Sequence, residues 1–177
     1  MKHIPLILLF ILCLTGCNAS KGIVTKKPKA VKVLETTSLD ATPVKKPKSE
    51  ALADSIISYA KRFDGVKYKY GGTTKKGMDC SGLVTTAFKS EHISLPRTTG
   101  DLAHTGEWVD INEVQKGDLL FFGTKKNHRK INHVGLVIDV RPGYVEFIHA
   151  TTHAGVIISN LAERYWYVSF VQARRVL

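Results

Sequence analysis

Apolar residues change their spacing partway along this chain, and the change separates a helical half from an extended one. Leu52, Ile56, Ile57, Ala60 and Phe63 recur at intervals of three and four, which places them on one helical face. Ser49 is placed to cap that helix, and Asp64-Gly65 stops it after about Phe63. Gly65 to Asp79 carries no apolar period and is rich in Gly and Lys, so it reads as loop. Helical spacing returns at Leu83, Val84, Ala87 and Phe88, predicting a helix that Cys80 opens and that ends near Glu91. Leu95 to Thr99 reads as a turn into a short third helix, Thr99 to about His104.

After Gly117-Asp118 the pattern becomes that of strands. Leu119 to Phe122 is one, His133 to Val140 a second, and Pro142-Gly143 turns into a third over Tyr144 to Ala150. Gly155 precedes a fourth, Val156 to Ser159, and the stretches Tyr165 to Val168 and Phe170 to Val176 continue the sheet. Helices followed by strands predict an α+β domain over 51–177, with helices on one face of a mainly antiparallel sheet. A domain of that length buries a usable core without disulfides. No internal repeat interrupts it.

The first 50 residues have neither period. Lys2 precedes an apolar run from Ile4 to Leu14, too short for the roughly 20 residues that span a bilayer and matching a secretory signal over 1–16. Leu14-Thr15-Gly16-Cys17 resembles a bacterial lipobox, which implies cleavage before Cys17 and lipid on its thiol. The expected location is outside the cytoplasm, anchored by that lipid to a bacterial membrane. In a Gram-negative cell this means the outer membrane facing the periplasm, since Asn18 is not the Asp that retains lipoproteins at the inner membrane. From Asn18 to Glu50, eight lysines against three acids leave a charge of +5, and a segment so poor in apolar residues reads as a flexible basic tether.

Composition changes this picture little: 44% hydrophobic and 23% charged residues are ordinary for a globular protein. The net charge of +11 is not, but part of it lies in the tether, and no nucleic-acid motif accompanies it. Cysteine changes the picture more. Of three cysteines, Cys13 leaves with the signal and Cys17 carries lipid, so Cys80 is the one thiol left to the domain. At a helix start it meets unpaired N–H groups and the positive end of the dipole, a setting expected to favour thiolate. Asp79 fits the helix cap, and Gly82 is expected to let another group approach the sulfur. The plain alternative is a small buried hydrophobe.

Histidines decide between these readings. His133 begins one strand and His149 ends the next, so an antiparallel pairing brings the two imidazoles together. A nucleophile on a helix start, a base on a strand and a third group orienting the base is the logic of Cys–His catalysis. Metal is the competing use, with Cys80, His133, His149 and either His153 or His128 as ligands. Structural zinc sites, however, usually show a close-spaced ligand pair, whereas here Cys80 and His133 lie far apart and His149-x3-His153 is interrupted as a strand-end loop. Neither cofactor nor metal is expected.

Asp79-Cys80-Ser81-Gly82-Leu83-Val84, Gly117 to Phe122, His133 to Ile138, Phe147-Ile148-His149-Ala150 and Tyr68-Lys69-Tyr70-Gly71-Gly72 resemble the NlpC-type cell-wall cysteine endopeptidases. The resemblance covers 51–177 and implies a papain-like α+β fold. It further implies hydrolysis of peptidoglycan stem peptides at bonds involving D-glutamate or diaminopimelate. By it Cys80 is the nucleophile, His133 the general base and His149 the residue orienting that base. Tyr68 corresponds to a tyrosine that helps bind the oxyanion, while Asp79 and Ser81 shape the subsite for the amino end of the stem peptide. After Pro96-Arg97-Thr98 the family often has Gln where this chain has Leu102, a departure expected to alter that subsite. The expected partners are peptidoglycan stem peptides and a membrane, with the protein a monomer and no nucleic acid involved. Two alternatives use the same residues: a peptidoglycan-binding module that does not cut, and an amidase or acyltransferase.

Overall fold

The computed structural model describes residues 48–125 and 129–177. The expected signal, the lipidated Cys17, the tether up to residue 47 and His128 lie outside the described residues. The first helix, α1 (Lys48–Lys61), buries Ala53, Ile56, Ile57 and Ala60, the stripe that the spacing predicts. Ser49 lies inside its first turn rather than at its cap. The expected loop holds a small hairpin, β1 (Thr73–Thr74) with β2 (Gly77–Met78), whose two-residue strands are too short to show a period. Helix α2 (Cys80–Lys89) and the single turn α3 (Thr99–Leu102) follow.

Six strands form the main sheet: β3 (Glu107–Val109), β4 (Leu119–Phe122), β5 (His133–Arg141), β6 (Tyr144–Thr151), β7 (Gly155–Asn160) and β8 (Phe170–Arg175). Their order is β3-β8-β4-β5-β6-β7, and every neighbouring pair is antiparallel. The fold is therefore α+β, as expected, with two strand-level differences. Edge strand β3 escapes sequence reading because only Val109 of its three residues is buried. Tyr165 to Val168 is helix, within α4 (Arg164–Ser169), not strand. Its aromatic and β-branched composition favours a strand, but Trp166 and Ser169 are the buried positions while Tyr167 and Val168 face solvent. Tertiary packing overrides propensity there.

That helix also corrects the expectation of helices on one face only. Alternate residues of the strands point to opposite sides. Leu119, Phe121, Val134, Leu136, Ile148 and Ala150 pack with α1 and α2, whereas Leu120, Phe122, Val137, Phe147 and Ala173 form a second core closed by Trp166. Burial on both faces explains why β4 reads as the unbroken run Leu-Leu-Phe-Phe. Trp166 meets Phe122 and Phe147 edge-on at ring-centre separations of 5.1 and 5.4 Å. Such pairs add roughly 0.5–1.5 kcal/mol each beyond their burial. The second core matters because both strand histidines face it.

Candidate active site

Cys80 is the first residue of α2, and Asp79 caps the helix by accepting the Gly82 N–H at 2.7 Å. The other oxygen of Asp79 accepts the Gly71 N–H at 2.7 Å and Arg97 Nη2 at 2.8 Å. Arg97 Nη1 donates in turn to Ser81 Oγ at 2.7 Å, and Ser81 donates to Asp79 at 3.3 Å. Burial pushes the Asp79 carboxyl up, but the Arg97 guanidinium and the two N–H donors outweigh it and hold its pKa below the ordinary value. Asp79 and Ser81 thus act on the cleft by bracing three chain segments together. Arg97, the third member, enters the sequence reading only within Pro96-Arg97-Thr98, with no site role of its own.

Gly82 has a different role from the expected one. A Cβ there would collide with the Gly72 carbonyl oxygen, so the glycine admits the 71–72 loop rather than a group bound for the sulfur. Leu102 is also reassigned. It is fully buried in the core beneath α2, so the Gln-to-Leu departure does not line a subsite.

Electrostatics at the thiol run against the expectation of a resting thiolate. Cys80 is only 7% exposed, and burial pushes its pKa up. The Thr99 hydroxyl, 3.6 Å from Sγ, and the N–H groups of Val134 and Ser81 favour the anion, but the Asp79 carboxylate opposes it and desolvation wins. The resting group is a thiol. Tyr68 likewise keeps its proton, since burial and then the nearby Cys80 and Asp79 raise its pKa.

His133 and His149 come together as the strand pairing predicts. Leu136 pairs with Ile148, which sets the start of β5 beside the end of β6. His133 Nε2 and His149 Nδ1 are 2.9 Å apart. Gly135 makes room for this arrangement: a Cβ at that position would clash with the Phe147 ring and press on His149 Cβ. Trp166 lies parallel to His133 at 5.5 Å and edge-on to His149 at 4.5 Å, sealing both from solvent. Sequence reading did not find Trp166, because the segment that carries it was read as strand.

Burial holds His133 down to about 4, and burial together with the neighbouring His133 holds His149 down to about 3. Both rings are neutral near pH 7, and each has a free-chain value near 6.5. The unfolded chain therefore takes up protons that the folded protein refuses. Stability is full above about pH 6.5 and is lost as pH falls toward 4. The expected result is a falling urea midpoint between pH 7 and 4.5, with a shallower fall in His149→Asn. Equal midpoints across that range would show that the rings are not buried neutral.

Two clefts meet at Cys80. One, of about 320 Å³, is walled by Gly71, Asp79, Ser81, Arg97, Thr98 and Thr99. The other, of about 630 Å³, is walled by Thr124, Lys125, His133, Thr152, His153, Tyr165 and Trp166 among others. Tyr68, Tyr70, Cys80 and Asn132 line both. The structure thus gathers Cys80, His133, Tyr68, Asp79 and Ser81 around one groove, with His149 behind His133. His153 stands with His133 on the wall of the larger cleft. Among the described residues no group of three or more His, Cys, Asp or Glu is arranged to hold a metal ion.

Known proteins resemble this chain in sequence and in fold. The "Probable endopeptidase NlpC homolog" of Haemophilus influenzae is 41% identical over 124 residues, 70% of this chain and 62% of the relative, just under two thirds of its length. The "Murein DD-endopeptidase MepS/Murein LD-carboxypeptidase" of Escherichia coli K12 is 35% identical over 185 aligned positions, which cover 100% of this chain and 93% of that protein. Among solved structures, an NlpC/P60 family protein from Bacillus cereus superposes with a TM-score of 0.64 at 34% identity, over 71% of this chain and 40% of that one. The model of the NlpC/P60 family itself matches residues 65–175, from the hairpin loop that carries Tyr68 to the end of β8, and the chain belongs to that family.

Proposed function

We propose that this chain is a thiol endopeptidase that hydrolyses amide bonds in peptidoglycan stem peptides, at linkages of the D-glutamate or diaminopimelate type. The observation that carries the reading is the placement of Cys80 at the junction of two clefts, beside the buried His133–His149 pair. A peptide can run through both clefts and present an internal carbonyl to the sulfur. The Haemophilus influenzae and Escherichia coli relatives, both named as endopeptidases, support the same activity class.

The chemistry follows from the protonation states. As Cys80 Sγ attacks the scissile carbonyl carbon, His133 Nδ1 takes the thiol proton, so charge separates only with bond formation. Its Nε2–H points at His149 Nδ1, which steadies the imidazolium. The Cys80 N–H, a first-turn amide with no helical acceptor, and the Tyr68 hydroxyl are the donors available to the oxyanion. His133 passes the proton to the leaving amine, and an acyl-enzyme remains. A water molecule then gives a proton to His133 and attacks the thioester, releasing the acid product and the thiol.

The test is digestion of purified peptidoglycan with identification of the products by mass. New stem-peptide ends from internal cleavage are expected. Tight muropeptide binding with no cleavage would replace this reading with that of a binding module, and transfer to an added amine in preference to water would replace it with an acyltransferase. The Leu-Thr-Gly-Cys sequence supports a lipid on Cys17 that holds the enzyme at a membrane outside the cytoplasm. Cys17→Ser is expected to move the protein to the soluble fraction with unchanged activity on soluble fragments. Equal membrane retention would count against that anchor.

A further inference from the structure

We propose that Ser159, on β7, is a positioning residue for this reaction: it accepts the Nε2–H of His149 and so holds that ring in the one tautomer that leaves His133 Nδ1 free to take a proton. The inference rests on the reading of His133 as the base. In the register of β6 with β7, Phe147 faces Ser159 and His149 faces Ile157. Ser159 is therefore the diagonal neighbour of His149 on the same face of the sheet, within side-chain reach. Its Oγ lies 3.0 Å from His149 Nε2, with the ring fully buried and the serine 8% exposed.

A neutral imidazole carries one N–H, and which nitrogen holds it decides the direction of every bond in this row. With the proton on His149 Nε2, Ser159 accepts it and His149 Nδ1 becomes an acceptor. His133 then carries its own proton on Nε2, and its Nδ1 lone pair faces the thiol side. With the proton on His149 Nδ1, the row reverses. His133 must then accept at Nε2 and hold its proton on Nδ1, where it cannot serve as a base. The same heavy atoms and distances fit both rows, and only one is productive.

A carboxylate or an amide oxygen in place of His149 would accept from His133 without this ambiguity. An imidazole there needs a further group, and Ser159 is the one at its outer nitrogen. The requirement sharpens once His133 is protonated. Both its nitrogens then carry hydrogen, so His149 Nδ1 must accept and His149 Nε2–H must point outward. A buried N–H without an acceptor is costly. The serine oxygen removes that cost in the charged state, while its hydroxyl hydrogen rotates away from the ring.

The experiment combines a direct reading of the tautomer with kinetics, using the full chain and muropeptide substrate. In protein labelled with ¹⁵N-histidine at pH 7, His149 Nε2 is expected to carry the proton; a bare Nε2 in the wild type would overturn the proposal. Ser159→Ala is expected to lower kcat by about 10- to 100-fold, the loss of one buried hydrogen bond in the charged state, with KM nearly unchanged. The acid limb of its pH profile should move lower, because the His133 imidazolium has lost support. Ser159→Thr, which keeps the hydroxyl, should recover most of the rate. In a His149→Asn background the amide oxygen needs no partner behind it, so Ser159→Ala should cost several-fold less there. An equal cost in both backgrounds, or an unmoved pH profile, would make Ser159 a packing residue only. If Ser159→Ala fails to fold, the nitrogen resonances of the wild type still decide. Retention of hydrolysis by His133→Ala would instead defeat the reading of the base, which separates the two failures.

Discussion

Cys80→Ala is expected to abolish release of stem-peptide fragments while leaving the domain folded. Removing the nucleophile of an enzyme that works through a row of coupled groups costs on the order of 10⁶-fold in kcat. The fold should survive, because the change deletes one sulfur from a side of the core already filled by Leu83, Val84, Val134 and Leu136. Trimming so little from a packed site costs about 1 kcal/mol. The measurement is product release from purified peptidoglycan, with far-UV circular dichroism and thermal melting as controls. A folded Cys80→Ala protein that still cuts at the wild-type rate would sink the thiol mechanism. A thiol alkylator provides the same test chemically, and a chelator should have no effect.

His133→Ala should come next in size, and the two histidines should differ. In the proposed mechanism His133 Nδ1 handles the proton in both halves of the reaction, and general-base help is worth roughly 10²- to 10⁴-fold. His149 touches no substrate. Its proposed work is to accept from His133 Nε2, 2.9 Å away, and an amide oxygen can do that. His149→Asn or His149→Gln should therefore keep measurable activity, while His149→Ala leaves a buried N–H of His133 unpaired and loses much more. Alkylation of Cys80 gives a readout independent of substrate. Because burial pushes the thiol up, alkylation is expected to depend on His133 to take its proton, and His133→Ala should need a higher pH to react. Unchanged alkylation profiles in both variants would place neither ring beside the sulfur.

The burial that suppresses imidazole charge gives the site its character. Cys–His pairs at helix starts are often read as resting thiolate and imidazolium. Here the sulfur is 7% exposed and His149 has no exposed surface, so the charged pair would have to form without water. Desolvation opposes both charges together. A neutral thiol and neutral imidazoles are the resting state that this packing favours, and charge appears when the substrate carbonyl and the oxyanion donors are there to receive it. Trp166 contributes to this sealing through its contacts with both imidazoles, which gives α4 a function beyond closing the second core.

What could be read without the structure is what short-range chemistry controls. The helical stripe of α1, the Asp79 cap on α2, the central strands β4 to β7 and the meeting of His133 with His149 all follow from periods, turns and pairing rules that act over a few residues. Those rules supplied the α+β class and the places of Cys80 at a helix start and His133 at a strand start. Features shorter than one period were lost: the β1–β2 hairpin and the edge strand β3. Tyr165 to Val168 was misread because its aromatic composition fits a strand, whereas the socket over the imidazoles takes Trp166 from a helix.

The remaining properties belong to the tertiary structure because they depend on contacts between residues far apart in the chain. Arg97 reaches back 18 residues to hold the Asp79 cap, and Gly82 yields its space to the carbonyl of Gly72. Leu102 stands at a position that motif reading assigns to substrate, and packing puts it in the core. Ser159 meets His149 only because β7 pairs in one register with β6. Above all, the ionisation of the site was not legible in its residues. A cysteine at a helix start carries the sequence signature of a thiolate, but a helix terminus contributes a modest, short-ranged field. Removal of water from the same sulfur is the larger effect, and only the assembled fold determines how much water is left.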